Sequence, residues 1–250
     1  MTETEWQECI SPDLMLAYLG ERASPRKRRL FACACVRRIW PLLHDDRLRQ
    51  AVKVAERFAD GRVSTRIREK ARQLATRLRE EREAKELRAR TWMARAARSA
   101  AQAVEALLPE QEPILMPPRD IRELPDVVSA TRTARTAARA AEAQHDDESS
   151  EAIDPIRRLH ALDAVELVRE IFGNPFRPVA LDPSWLAWKD NLVPKMARVI
   201  YRKRCFRNLP LLGDAMEAAG CSDAAILTHC RAPVEHVRGC WLVDALLNMA

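Results

Sequence analysis

Residues 62–107 read RVSTRIREKARQLATRLREEREAKELRARTWMARAARSAAQAVEAL, and the fold turns on how this stretch is interpreted. Ala, Arg, Glu and Leu dominate it, all strong helix formers, and large apolar residues are few. Val63, Ile67, Ala71, Leu74 and Leu78 step by 4, 4, 3 and 4, the spacing of one helix face. The stripe lapses between Glu80 and Glu86 and resumes at Trp92, Ala96, Ala100, Val104 and Leu107. This pattern predicts one long helix, or two nearly collinear ones. The middle turns would project into solvent, laced by i,i+4 pairs such as Glu81–Lys85 and Glu86–Arg90. Five prolines from Pro109 to Pro125 then force a loop or extended crossing segment. From about Asp126 the face Val127, Thr131, Ala134, Ala138, Ala141 predicts a returning helix, closed by the acidic run His145–Glu151. Its small residues permit close approach, so residues 62–150 are expected to form a basic helical hairpin with the connector at 109–125.

The flanks read as compact helical modules, 1–61 and 151–250. On the N-terminal side, Ser11-Pro12-Asp13 and Ser24-Pro25 each place a capping hydroxyl before a first-turn proline. The helices they open carry Leu14, Leu16, Tyr18, Leu19 and then Leu30, Phe31, Ala34, Cys35, Ile39, Trp40; Gly20 ends one and Pro41 the other. Asp45-Asp46 opens a third, with Val52, Ala55 and Phe58 inward and Asp60-Gly61 as its stop. On the C-terminal side, Asp154-Pro155 opens a helix faced by Ala161, Val165, Val168 and Phe172. The stretch Gly173-Asn174-Pro175-Phe176-Arg177-Pro178 is a rigid connector. Shorter helices are predicted over 182–185, 192–205, 209–219, 222–230 and 233–248. The fold class is therefore all-α: a multi-helix bundle with a long central Ala/Arg-rich hairpin.

Composition narrows the class further. Of 250 residues, 47% are hydrophobic and 31% charged, which excludes both a membrane-spanning and a disordered chain. The acidic start Met1–Trp6 lacks the basic and apolar regions of a signal peptide, and the longest uncharged apolar run is only about Leu30–Val36. Seven cysteines, an odd number without an export signal, suit free thiols in a reducing cytoplasm.

Net charge is +6 but uneven. Arg22–Arg38 holds seven basic residues and no acidic one, Arg62–Arg98 thirteen against five, and Lys195–Arg207 six against none. Arg26, Lys27, Arg28 and Arg29 sit in the first turn of a helix, where cations oppose the macrodipole. Nucleic-acid phosphate, an acidic partner, or the chain's own Asp146-Asp147-Glu148 would compensate them. With Arg66, Arg77, Arg88 and Arg95 of the central helix, they are the candidate residues for meeting nucleic acid or an acidic partner. Trp92 is the lone aromatic of the basic stretch, so base stacking has little to work with.

Cys221, His229, Cys230, His236 and Cys240 cluster near the C-terminus. His236 and Cys240, four apart, would share a face of a helix and reach one metal ion. The spacing Cys221-x8-Cys230 lacks the close pair that opens a zinc site. Buried, hydrophobe-like cysteines and hydrogen-bonded histidines account for the same pattern. Read as nucleophile and base, His236 and Cys240 would need a depressed thiol pKa and a third orienting group. Cys33-Ala34-Cys35 lacks the redox C-x-x-C spacing.

Two stretches carry a family resemblance. One runs from Glu5-Trp6 through Arg28-Arg29-Leu30-Phe31-Ala32-Cys33 to Ala59-Asp60-Gly61. The other runs from Ile171-Phe172-Gly173-Asn174-Pro175-Phe176-Arg177-Pro178 through Leu181-Asp182-Pro183 to His229-Cys230-Arg231 and His236-Val237-Arg238-Gly239-Cys240-Trp241. Together they resemble a recurrent bacterial family of helical proteins with no assigned activity. The resemblance implies an intracellular protein with terminal modules around a variable insert, and no site residue.

The leading expectation is a non-enzymatic interaction or adaptor protein, its hairpin too poor in apolar surface to fold inward and so left for a protein partner. The alternatives are sequence-tolerant nucleic-acid binding through the basic helices, and a metal site or thiol enzyme at Cys221, His229, His236 and Cys240. No cofactor is expected in the leading reading, zinc in the last.

Overall fold

The structure, a computed structural model, describes residues 1–40, 43–89, 92–108 and 164–249, and within these the side chains of all but 85–89 and 92–96. The proline-rich connector 109–125, the returning helix after Asp126, the acidic run and the border at 150/151 lie outside the described residues. Every regular element among the described residues is a helix, and no helix among them is long and apolar enough to cross a membrane. The chain divides into two compact units, Met1–Leu167 and Val168–Ala250.

In the first unit the capping signals act where they are written. Ser11 caps α2 (Pro12–Leu19), Ser24 caps α3 (Pro25–Arg38) and Asp45 caps α4 (Asp46–Ala59), each side chain accepting from a first-turn N–H. A further helix, α1 (Glu3–Glu8), precedes them. Thr2 and Glu5 cap it reciprocally, and it buries Trp6 within 6.2 Å of the Tyr18 ring. Leu30, Phe31, Val36, Leu48 and Val52 form the core that α3 and α4 share.

The central stretch differs from expectation. It forms α5 (Thr65–Ala89) and α6 (Trp92–Ala106), which are not collinear but lie side by side. Glu105 accepts hydrogen bonds from Thr76 at 2.7 Å and Arg79 at 2.6 Å; along a straight rod these residues would be about 40 Å apart. Helices α5 and α6 thus form a hairpin of their own within residues 65–106, and the expected pairing with a returning helix after Asp126 lies outside the described residues.

Nor is this pair too apolar-poor to fold inward. Ala75, Leu78, Ala100, Ala101, Ala103 and Val104 are buried, and both helices also contact α4. Alanines bury little area each but let backbones approach closely, and that compensates for the scarcity of large side chains. The buried face is also rotated from the predicted one. Ile67 is 46% exposed, whereas Arg68 is buried with its guanidinium 4.8 Å above the Phe58 ring. The expected border at 61/62 falls inside this unit, where α4 packs along α5.

The second unit begins at Val168, within α7 (residues 164–172). Then come α8 (Pro183–Lys203), α9 (Leu209–Ala218), α10 (Ala224–Arg231) and α11 (Trp241–Leu246). Asp182 and Asp223 cap α8 and α10. Three consecutive left-handed residues, Lys189, Asp190 and Asn191, break α8, and the straight run resumes close to the predicted Leu192. Ile200, Tyr201, Leu209, Met216, Ile226 and Leu242 lie in one core. Helices α9 and α10 touch at Gly213, where a methyl group would stand 2.8 Å from the Cys230 Cβ.

The predicted helix from Pro233 is corrected. Residues 232–240 form a loop, with Gly239 at φ 96° and the Cys240 N–H bonded to the Val237 carbonyl at 3.1 Å, and α11 begins only at Trp241.

Candidate metal centre

That loop brings together side chains that a helix would not. His236 and Cys240 leave it, His229 comes from α10 and Glu170 from α7, and their ligand atoms all lie within 4.8 Å of one another. His236 Nδ1 is 3.1 and 3.2 Å from the two Glu170 carboxylate oxygens. His229 Nε2 is 3.1 Å from Cys240 Sγ and 3.7 Å from Glu170 Oε2. Four donors on a tetrahedral ion with bonds of about 2.1 Å would be separated by roughly 3.4 Å. The observed separations bracket that value.

The surroundings hold the group in place. Glu170 also accepts from the Val237 N–H at 3.4 Å, tying the loop to α7. The Trp241 ring centroid stands 4.6 Å from that of His229. Gly173 ends α7 just after Glu170, its N–H bonded to the Arg169 carbonyl at 2.9 Å. At φ +70° it leaves Trp241 room that a Cβ, 3.1 Å from the indole, would take. A Gly173→Ala variant is therefore expected to lose about 1–2 kcal/mol, from left-handed strain plus the displaced indole. A urea melt measures this, and an unchanged midpoint would contradict the assigned packing.

Electrostatics favour metal donors over a nucleophile. Burial lowers the His229 pKa to about 4, outweighing the raising effect of the Glu170 charge, so the imidazole is neutral and its lone pair available. Burial, with the Glu170 charge second, pushes the Cys240 thiol well above its ordinary value. A reactive thiolate needs the opposite environment. The geometry agrees: in a nucleophile–base–carboxylate relay the two partners use opposite ring nitrogens, whereas here His229 Nε2 faces both Cys240 and Glu170. A dipositive ion at the centre would compensate the carboxylate and hold the sulfur as thiolate. His236 Nδ1 faces the Glu170 carboxylate, and its Nε2 is buried with no hydrogen-bond partner among the described residues.

No family model, curated protein or solved structure matches this chain. The site rests on its own geometry.

Three of the four residues singled out by type, His229, His236 and Cys240, belong to the group, and Cys221 does not. Cys221 is buried after α9, its N–H bonded to the Met216 carbonyl at 3.0 Å. Glu170 is the member that composition and spacing did not indicate. All seven cysteines are free, and burial lifts the Cys230 thiol to about 12.

The basic candidates separate into two kinds. None of Arg26, Lys27, Arg28 and Arg29 is exposed. Arg26 pairs with Asp60 at 3.0 Å, Arg28 donates to the Gly20 carbonyl, and Arg29 lies 4.9 Å over the Phe58 ring. Asp60 thus supplies for Arg26 the compensation expected from Asp146–Glu148 or from outside the chain. Arg66 and Arg77 are exposed on α5. Arg88 and Arg95 fall in α5 and α6 with side chains outside the described residues.

Proposed function

We propose that residues 168–249 form a metal-binding helical module in which Glu170, His229, His236 and Cys240 hold one zinc-class ion, and that the protein acts by binding rather than by catalysis. The observation that carries this reading is the convergence of four donors of mixed kind, two imidazoles, a thiol and a carboxylate, within 4.8 Å. Sulfur and nitrogen donors favour zinc over magnesium or calcium. Four protein donors close a tetrahedral shell, as in structural sites, whereas catalytic sites keep a position for water. Burial of Glu170, His236 and Cys240 supports the closed form. The ion would staple the loop 232–240 to α7 and α10. In a unit of about 80 residues such a staple contributes a large share of the stability.

Metal content of protein purified without chelator tests the proposal. One equivalent of zinc per chain is expected, lost in His229→Ala, His236→Ala and Cys240→Ala and kept in Cys221→Ala. Cobalt loading should give a sulfur-to-metal charge-transfer band that vanishes in Cys240→Ala. Full stoichiometry in Cys240→Ala, or no uptake by wild-type protein offered zinc, would refute it.

A further inference from the structure

On the outer side of α8, away from the core residues Val193, Ala197, Ile200 and Tyr201, lies a ridge of cations. Lys195, Arg198, Arg202 and Lys203 are all exposed, and Arg207 continues the series in the next short turn. Lys195 is bonded to Asp190 at 2.6 Å. No carboxylate occurs between Lys195 and Arg207. Arg198, Arg202, Lys203 and Arg207 have no ion-pair partner among the described residues.

The simplest structural account covers only part of this. Cations in a last helical turn complement the macrodipole, which suits Arg202 and Lys203. It does not cover Arg198 a turn earlier or Arg207 beyond the helix end. Like charges at i,i+4, as in Arg198 and Arg202, repel one another by a few tenths of a kcal/mol.

We propose that this ridge is a binding surface for the phosphodiester backbone of nucleic acid. Lys195, Arg198 and Arg202 stand about one helical turn apart, ~4.5–6 Å along the axis, comparable to the step between adjacent phosphates, with Lys203 beside Arg202. Arginine predominates, and its planar fork matches phosphate oxygens in two-point contacts. A protein interface would centre on aromatic or large aliphatic anchors; Val199, 49% exposed, is the apolar residue between the cations. A membrane-inserting face would need more apolar surface than one valine.

The ridge is braced from behind. Arg238, in the loop between His236 and Cys240, donates to the Tyr201 carbonyl at 3.3 Å and lies 4.7 Å over the Tyr201 ring. The cations are set by α8 itself and do not depend on an ion at the metal centre.

Fluorescence anisotropy of the full chain with labelled single-stranded RNA and duplex DNA tests it, the two arms distinguishing the source of the phosphodiester. Saturable binding to at least one is expected at 50 mM salt. With about four phosphate contacts on duplex, affinity should fall on the order of 100-fold between 50 and 200 mM. The variant Arg198→Glu/Arg202→Glu/Lys203→Glu should lose at least about 30-fold, with metal content unchanged and helical content intact by circular dichroism. Arg66→Glu/Arg77→Glu on α5 should bind within about twofold of wild type. Absence of binding to both nucleic acids, a triple variant that binds like wild type, or equal competition by poly-glutamate, which would mark an acidic protein surface, each overturns the proposal.

Discussion

Loading metal-free protein with zinc is expected to slow amide exchange across residues 226–241 by about three orders of magnitude and to leave residues 1–108 unchanged. The magnitude follows from linkage: a ligand bound only by the folded state, at free concentrations near 1,000 times its dissociation constant, stabilises that state by about 4 kcal/mol. Each tenfold change in an opening equilibrium is about 1.4 kcal/mol. The location follows from the fold. Helix α10 spans eight residues and α11 six, too short to persist alone. The loop between them is tied to α7 through Glu170, by His236 Nδ1 at 3.1 Å and the Val237 N–H at 3.4 Å. An ion on the four donors would join α7, α10 and the loop into one opening unit. The same free energy should raise the melting temperature of a unit this size by upward of about 15 °C. Exchange by mass spectrometry, peptide by peptide, reads both parts. Equal rates with and without zinc would mean that the cluster is a hydrogen-bonded core and nothing more.

Much of the helical outline was legible because it is written in local chemistry. Ser11-Pro12, Ser24-Pro25 and Asp45-Asp46 marked three helix starts, and each side chain caps as its type predicts. The capping box Thr2–Glu5 is equally local, but only a short helix follows it, too short to show a periodic apolar face. Tertiary choices were less visible. A helical stripe does not say whether a rod continues or folds back, and the exposed Glu80, Glu81 and Glu83 look the same in solvent-facing turns of either. The alanines of α6 read as a weak face, yet they are what allows α5 to lie close. At the candidate metal centre the residue types in 229–240 were legible and their arrangement was not. Spacing of four suggested a shared helix face for His236 and Cys240, but Gly239 at φ 96° makes a turn that aims both at Glu170 from a loop. Glu170 sits among Val168, Ile171 and Phe172 in a helix read for its apolar face, and nothing local distinguishes it from a surface glutamate. The cations Arg26–Arg29 are out of place in a first turn by local chemistry alone; their partners, Asp60 among them, lie beyond the reach of local patterns.

In the first unit the largest single-site loss is expected at Arg37. It clamps Glu56 across α3 and α4 with two hydrogen bonds, Nε to Oε1 at 2.5 Å and Nη2 to Oε2 at 3.0 Å. The Glu56 side chain is 4% exposed and that of Arg37 20%. The arginine also lies 4.5 Å over the Trp40 ring and sits in the last turn of α3, where its charge complements the macrodipole. A surface ion pair would be worth under about 1 kcal/mol, but removing one member of a buried pair leaves the other charge desolvated, at about 3–5 kcal/mol. Arg37→Met is therefore expected to destabilise the unit by that amount. Arg37→Lys, which keeps the charge and loses the fork, should fall between the two. The decisive variant is Arg37→Met/Glu56→Met: with both charges gone and volume retained, stability should return to within about 1 kcal/mol of wild type. Urea unfolding followed by hydrogen exchange of α3 and α4 peptides measures all three. A double variant no better than Arg37→Met would show that Glu56 acts through other partners and that the clamp is not what joins these helices. Recovery would show instead that the pair contributes orientation, fixing how α3 lies on α4 and so the floor on which the α5–α6 hairpin is built.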